Sequence, residues 1–185
     1  MMNHMQDIAE ILMMSIALGM DAFSLSLGLG LNGLSRAKAY ELSLFIGIFH
    51  IFMTLVGLSA GLLVSGIMGQ LANWFGAFLL LGMGLHMMYS TLFVRKQEVT
   101  VGHSFPALLA FSAGVSVDAL SVGLSLGLRS TTFGLVSAGM FGIFGAGMCL
   151  AGVLIGKRAS SIVGMYGELI GAFILIGYGI QFLRP

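Results

Sequence analysis

The stretch MDAFSLSLGLG, residues 20–30, places the carboxylate of Asp21 inside a run of residues that is otherwise apolar. A closely similar stretch, VDALSVGLSLG at residues 117–127, surrounds Asp118. An ionisable side chain at the centre of a membrane helix costs at least about 2.5–3.5 kcal/mol in insertion free energy, so it is expected to face protein or a wet cavity. The repetition therefore predicts that both carboxylates have a function.

The composition indicates that the chain is an integral membrane protein. Of its 185 residues, 58% are hydrophobic and 8% are charged, whereas soluble domains average about 25% charged residues. Its apolar runs are long enough for a hydrocarbon core of roughly 30 Å, which a helix of about 20 residues crosses. A β-barrel would need short segments of alternating polarity, which the sequence lacks. We expect an all-α fold with one transmembrane domain over residues 1–185 and six transmembrane helices, at about 8–30, 41–64, 70–92, 106–128, 133–156 and 163–183.

The two halves of the sequence resemble each other beyond the aspartates. A shift of 97 residues aligns Asp21 with Asp118, and a shift of 95 aligns GAFLLLGMG at 76–84 with GAFILIGYG at 171–179. The halves are therefore predicted to be three-helix repeats, at about 8–92 and 106–183. Because three is an odd number, the second copy enters the membrane from the opposite side, which is the inverted-repeat plan of secondary transporters.

The distribution of basic residues predicts the orientation. Loops one, three and five carry most of the cationic side chains, and by the positive-inside rule these loops face the cytoplasm. We therefore expect a multi-pass membrane protein with both termini outside. The first ten residues contain no Lys or Arg, unlike a secretory signal, so the first helix is expected to remain in the mature protein. The basic residues concerned are Arg36, Lys38, Arg95, Lys96, Lys157 and Arg158.

The residues around the two aspartates predict a site for a divalent cation. Asp21 shares a helix face with Ser24, and Asp118 shares one with Ser121, which gives a set of hard oxygen donors suited to Mg²⁺, Ca²⁺ or Mn²⁺. His50, near the middle of the second helix, could add a nitrogen donor that shifts the preference toward a transition metal such as Mn²⁺. The alternatives are aspartates that join helices by hydrogen bonds and a neutral His50 bonded to a carbonyl.

Four further polar residues are candidates for a translocation path. Asn73 and Glu168 occupy matching positions near the start of the third and sixth helices, closer to the two membrane surfaces than the aspartates. Glu10 and Arg129 each lie eleven residues from the aspartate of their own repeat, on the outer side. Stations or gates for a cation are one interpretation of these residues, and interfacial caps or ion pairs are the other.

Several segments resemble one family of transporters. The sequences ALGMDAFSLSLGLG, SAGVSVDALSVGLSLG, GIFGAGMCLAGVLIGKR and GELIGAFILIGYGIQFL are similar to those of the MntP family of manganese efflux pumps, a branch of the LysE transporter superfamily. The resemblance implies a six-helix exporter of Mn²⁺ in the inner membrane, with Asp21 and Asp118 at the positions of the family's functional acidic residues. The chain departs from the family pattern at His50, where Gln is usual, and at Thr54, where Pro is often found.

These observations predict a secondary-active exporter whose transported substrate is the manganese ion and whose surroundings are the lipid bilayer. No Walker motif GxxxxGK[ST] is present for ATP. We expect no prosthetic group, no catalytic residue or enzyme activity and no nucleic-acid partner, and the oligomeric state is left open, a homodimer being one option. The alternatives are a family member that exports another cation or solute, a membrane protein that transports nothing, and an intramembrane aspartyl protease, whose GxGD motif the chain lacks.

Overall fold

The computed structural model describes residues 4–31, 33–68, 71–93, 105–128, 131–156 and 161–183. Every regular element within these residues is an α-helix, as the apolar composition predicts. The helices are α1 (His4–Leu31), α2 (Arg36–Met68), α3 (Leu71–Phe93), α4 (Phe105–Val115), α5 (Val117–Gly127), α6 (Thr131–Gly156) and α7 (Ser161–Leu183).

Four helical stretches of the described chain are long and apolar enough to cross a membrane: Asp7–Leu31, Arg36–Val64, Phe105–Gly127 and Thr131–Gly156. Their outward surfaces carry large apolar side chains. On α2, for example, Leu44, Ile48 and Phe52 recur every four residues, and each is more than half exposed. Such a stripe is stable in hydrocarbon and unfavourable in water, so the chain is an integral membrane protein.

The fourth predicted helix, 106–128, differs from the expectation because it is broken at Ser116. The Ser116 amide donates to both the Ser112 and the Ala113 carbonyl oxygens, each at 3.2 Å, and its hydroxyl donates to the Ser112 carbonyl oxygen at 2.8 Å. Side-chain bonds of this kind to the preceding turn compete with the helical ladder and bend helices. Asp118 consequently lies in the first turn of α5 rather than halfway along an unbroken helix.

The helices pack in a pattern that relates the two halves of the chain. The most extensive contacts join α1 with α6, α3 with α7, α2 with α5, and α2 with α6. Shorter contact surfaces join α1 with α7 and α3 with α5. A central hydrophobic cluster draws buried side chains from six helices, among them Met14, Leu58, Leu80, Val122, Phe141 and Leu175.

Glycines bring the paired helices into backbone contact at matching positions of the repeat. A Cβ on Gly152 of α6 would collide with the Phe23 carbonyl oxygen of α1, and a Cβ on Gly57 of α2 would collide with the Leu120 carbonyl oxygen of α5. These contacts correspond, since position 57 aligns with 152 and position 23 with 120. Small residues at such crossings allow membrane helices to approach closely. The same correspondence holds for Gly156 against Leu27 and Gly61 against Leu124, and for Gly30 against Val153 and Gly127 against Leu58.

Substituting Gly152 tests this packing. The Cβ of Gly152→Ala would meet the Phe23 backbone, which cannot move without shifting α1, so we expect a loss of about 1–3 kcal/mol in stability. Thermal unfolding of the purified protein in detergent measures it as a lower Tm. The control is Gly147→Ala in the same helix, whose Cβ would have no described atom within 4 Å. Equal melting temperatures for the two variants would contradict the packing.

Candidate functional site

Asp21 lies in the middle of α1 and is half-buried. Ser24, one turn later on the same face, is buried, and so is Ala17 on the preceding turn. Because α1 packs against α6 and α7, this small and hydroxylated face is part of the protein interior. The carboxylate therefore has the kind of surroundings that an intramembrane aspartate requires.

Asp118 is also half-buried and follows the helix break by two residues. The N-terminal turn of a helix carries partial positive charge, which favours a carboxylate at this place. His86 of α3 lies close enough to interact electrostatically with Asp118. Sequence reasoning missed His86. The signal that could have found it is the alignment of His86 with Gln181, since a polar residue stands at that position in both repeats.

The two aspartates lie on helices with common neighbours. Within the described residues α1 and α5 do not pack extensively against each other, but both contact α6. In the same part of the chain, no three side chains of the His, Cys, Asp and Glu types are grouped closely enough to hold a metal ion. The joint site of Asp21 and Asp118 stays a prediction.

His50 lies at the crossing of α2 and α6 and is fully buried. Its Nδ1 is 3.0 Å from the Ile46 carbonyl oxygen and 2.8 Å from the Ser116 hydroxyl oxygen. The ring lies against Gly145 of α6, where a Cβ would be only 3.1 Å from two of the ring carbons. The bond to Ile46 agrees with the prediction of a histidine bonded to a carbonyl, and the contact with Ser116 adds a link to the helix break.

The remaining predicted residues are spread over the bundle. Ser121 is half-buried on α5, three residues after Asp118. Glu10 is buried on α1 and lies close enough to Tyr178 of α7 for an electrostatic interaction. Asn73 and Glu168 belong to α3 and α7, near the start of each helix, but their side chains lie outside the described part of the structure, as does the whole of Arg129.

Comparison with known proteins gives the family. A sequence model of the family described as "Putative manganese efflux pump" matches residues 33–183. The chain belongs to the MntP family. A protein of Halalkalibacterium halodurans named "Putative manganese efflux pump MntP" is 42% identical over 180 residues, covering 97% of this chain and 98% of its own length. The protein of the same name from Bacillus licheniformis is 39% identical, in an alignment that covers 97% of this chain and 95% of the relative. The one from Bacillus mycoides is 37% identical, with 98% of each chain covered. No solved structure matches the chain.

This MntP-family chain also has a polar contact between α1 and α6. The Ser26 hydroxyl donates to the Cys149 sulfur at 3.1 Å, and Cys149 is fully buried. Cys149 aligns with Thr54 of the first repeat. Thr54 is fully buried as well, and its hydroxyl donates to the His50 carbonyl oxygen at 2.6 Å. Matching positions of α2 and α6 thus carry small polar side chains inside the bundle.

The burial of Cys149 predicts that its thiol is inert in the folded protein. N-ethylmaleimide should not modify the native protein in detergent, because a buried thiol is inaccessible to the reagent. Unfolding in sodium dodecyl sulfate should make the single cysteine reactive. Mass spectrometry of the intact protein measures the adduct. Rapid labelling of the native protein, at a rate near that of the unfolded chain, would contradict the packing of α1 on α6.

Proposed function

We propose that this chain exports Mn²⁺ from the bacterial cytoplasm across the plasma membrane as a secondary-active transporter without enzyme activity. The observation that carries the proposal is an aspartate at matching positions of the two halves, on helices whose packing partners also match. Family membership supports manganese as the cargo, because relatives that align over nearly their whole lengths are named manganese efflux pumps. The absence of a Walker motif from the sequence favours an ion gradient or the membrane potential as the energy source.

The proposed architecture has six transmembrane helices in two inverted repeats, at about 8–92 and 106–183, which form one transmembrane domain. Helices α4 and α5 would act as one spanning unit, which is supported by the membrane length of the stretch Phe105–Gly127. The contact of α1 with α6 becomes that of α5 with α2 when the repeats are exchanged, as a two-fold relation requires. In the pairs α2 with α6 and α3 with α7, each helix contacts its own counterpart in the other repeat, so exchanging the repeats leaves these pairs unchanged. In the latter pair, Gly84 faces Ile176 and Gly179 faces the matching Leu81.

In the proposed site, Asp21 and Asp118 bind the cation together, with the hydroxyls of Ser24 and Ser121 as further oxygen donors. Two carboxylates that point at one place repel each other unless positive charge lies between them. A divalent cation removes this repulsion and replaces part of its own hydration shell with carboxylate oxygens. The site would therefore favour divalent over monovalent cations.

Transport would follow from a rocking movement of the repeats about this site, which opens it to each side in turn. The break at Ser116 is consistent with such a movement, since discontinuous helices are typical of transporter binding sites. Glu10 and Arg129 would lie along the outer part of the path. Asn73 and Glu168 would be stations toward the two membrane surfaces.

Replacing either aspartate with the isosteric asparagine tests the site. We expect Asp21→Asn and Asp118→Asn each to lower Mn²⁺ uptake by inverted membrane vesicles about tenfold or more, which corresponds to a loss of at least ~1.4 kcal/mol. The physical reason is the loss of one of the two charges that hold the ion. Asp7→Asn, which removes a carboxylate near the start of the same helix α1, is the control and should transport normally. Normal uptake by either test variant, at an equal amount of inserted protein, would refute the shared site.

The orientation is tested with single cysteines on a background in which Cys149 does not react. Arg36 and Thr131 are exposed at the start of α2 and of α6, and the proposed orientation places them on opposite sides of the membrane. A membrane-impermeant maleimide should label Thr131→Cys in intact spheroplasts and Arg36→Cys only after lysis. The parent protein should not be labelled in either condition. The reverse pattern would place both termini in the cytoplasm.

A further inference from the structure

The hydrogen bonds of His50 determine which ring nitrogen carries the proton. Nδ1 lies 3.0 Å from the Ile46 carbonyl oxygen, which can only accept a hydrogen bond. The Ser116 hydroxyl donates its single hydrogen to the Ser112 carbonyl oxygen. Its oxygen is therefore a second acceptor for the Nδ1 hydrogen of His50. The proton is therefore on Nδ1, and in the neutral ring Nε2 carries a lone pair and no proton.

This Nε2 has no hydrogen-bond partner among the described residues, although the side chain is fully buried. Burying a polar atom without a partner costs the free energy of its lost hydration, so its presence calls for a physical explanation. The arrangement matches that of metal-binding histidines, whose other nitrogen donates to a carbonyl or a similar acceptor that orients the ring. One face of the ring lies directly against the backbone of Gly145, where a Cβ would be 3.3 Å from Nε2, so a larger residue at position 145 would crowd this nitrogen.

His50 also lies between the two segments that carry the aspartates. On one side it contacts Ser116, two residues before Asp118, a rise of about 3 Å along a helix. On the other side it contacts Gly145, three residues before Met148 of α6. The Met148 side chain in turn packs on Gly19, two residues before Asp21. A continuous chain of contacts thus leads from each aspartate segment to the imidazole.

We propose that Nε2 of His50 is a nitrogen ligand of the transported cation and makes the site selective for transition metals over Mg²⁺ and Ca²⁺. The inference rests on the proposed function, because it assigns a third donor to the site of Asp21 and Asp118. A nitrogen ligand raises the affinity for first-row transition metals, of which Mn²⁺ is the weakest binder, but adds little for Mg²⁺ and Ca²⁺, which take oxygen ligands. Carboxylates alone accept both classes. Among the described residues Asp21, Asp118 and His50 are not grouped closely enough to hold one ion, and Nε2 is closed to solvent. The three ligands would therefore converge on the cation in a second conformation, reached by the movement of the repeats.

The first experiment measures nitrogen coordination directly, without transport. The full-length protein in detergent is loaded with Mn²⁺, and electron spin echo envelope modulation is recorded with natural and with ¹⁵N-labelled histidine. We expect a nitrogen modulation that changes on labelling and that disappears in His50→Gln, while His103→Gln keeps it. A wild-type complex with no nitrogen modulation would refute the proposal without reference to any variant. Loss of the modulation in His86→Gln, with retention in His50→Gln, would assign the ligand to His86 and refute it as well.

The second experiment separates a ligand from a purely structural histidine. Uptake of Mn²⁺ by inverted vesicles is measured with Mg²⁺ as competitor, for the wild type and for His50→Gln. We expect the preference for Mn²⁺ over Mg²⁺ to fall about tenfold or more in the variant. Loss of a residue that only supports a metal ligand already lowers metal affinity at least about tenfold, and loss of the ligand itself should cost no less. An equal loss of transport for both ions would indicate that His50 only stabilises the structure around Ser116, and would overturn the assignment.

The two proposals fail in different ways. If the wild type neither binds nor exports Mn²⁺, the proposed function fails. If Mn²⁺ binds, with an affinity that depends on Asp21 and Asp118, but gives no histidine signal, the function stands and the role of His50 fails. His50→Asn serves as a second variant if His50→Gln does not reach the membrane, and a wild-type spectrum without nitrogen modulation refutes the role of His50 without any variant.

Discussion

The bundle depends on the close crossing of α2 and α6. There Gly47 faces Gly142, with a would-be Cβ on either glycine only about 3 Å from the carbonyl oxygen of the other. The Ser43 hydroxyl of α2 donates to the Ala146 carbonyl oxygen of α6 at 2.7 Å, which joins the helices one turn away. Position 47 aligns with 142 in the repeat, so each helix meets its counterpart through corresponding residues. The proposed two-fold relation requires this of helices that cross on its axis.

In a membrane this kind of contact replaces the hydrophobic effect as the force between helices, because lipid is as apolar as a leucine side chain. The chain accordingly has glycines, serines and a cysteine at its helix crossings, beside buried apolar side chains such as Phe141, while many other large apolar residues face outward. The glycine contacts between α1 and α6 and between α5 and α2 have the same geometry. The carboxylates of Asp21 and Asp118 can remain half-buried only because these close contacts exclude lipid from the interior.

The approximate positions of the helices could be predicted from the sequence because they depend on polarity, whereas the role of the two aspartates stays a prediction. A run of about 20 apolar residues predicts a helix wherever it occurs, and a charge within it stands out. The break at Ser116 was not predictable in this way, since the residues on both sides of it are as apolar as those of an unbroken helix. At the break the Ser116 hydroxyl donates to the Ser112 carbonyl oxygen and accepts from His50. Ser15 and Ser137 make the same bond to the preceding turn within unbroken helices, so that bond alone does not predict a break. The interaction of His86 with Asp118 was missed because it depends on how α3 packs against α5.

The crossing of α2 and α6 also explains why the two halves of the sequence carry different residues at one pair of aligned positions. His50 aligns with Gly145, and the two positions face each other between α2 and α6. A Cβ at position 145 would already be only 3.1 Å from the imidazole, so the space at this crossing admits one large side chain and not two. The residues that contact the imidazole ring differ between the two halves as well. Ser116, which contacts the ring, belongs to a broken helix, whereas its counterpart Gly19 lies within the unbroken α1. In the proposed two-fold arrangement a single imidazole at this crossing makes the site asymmetric, and the helix break lies on the side to which the imidazole is bonded.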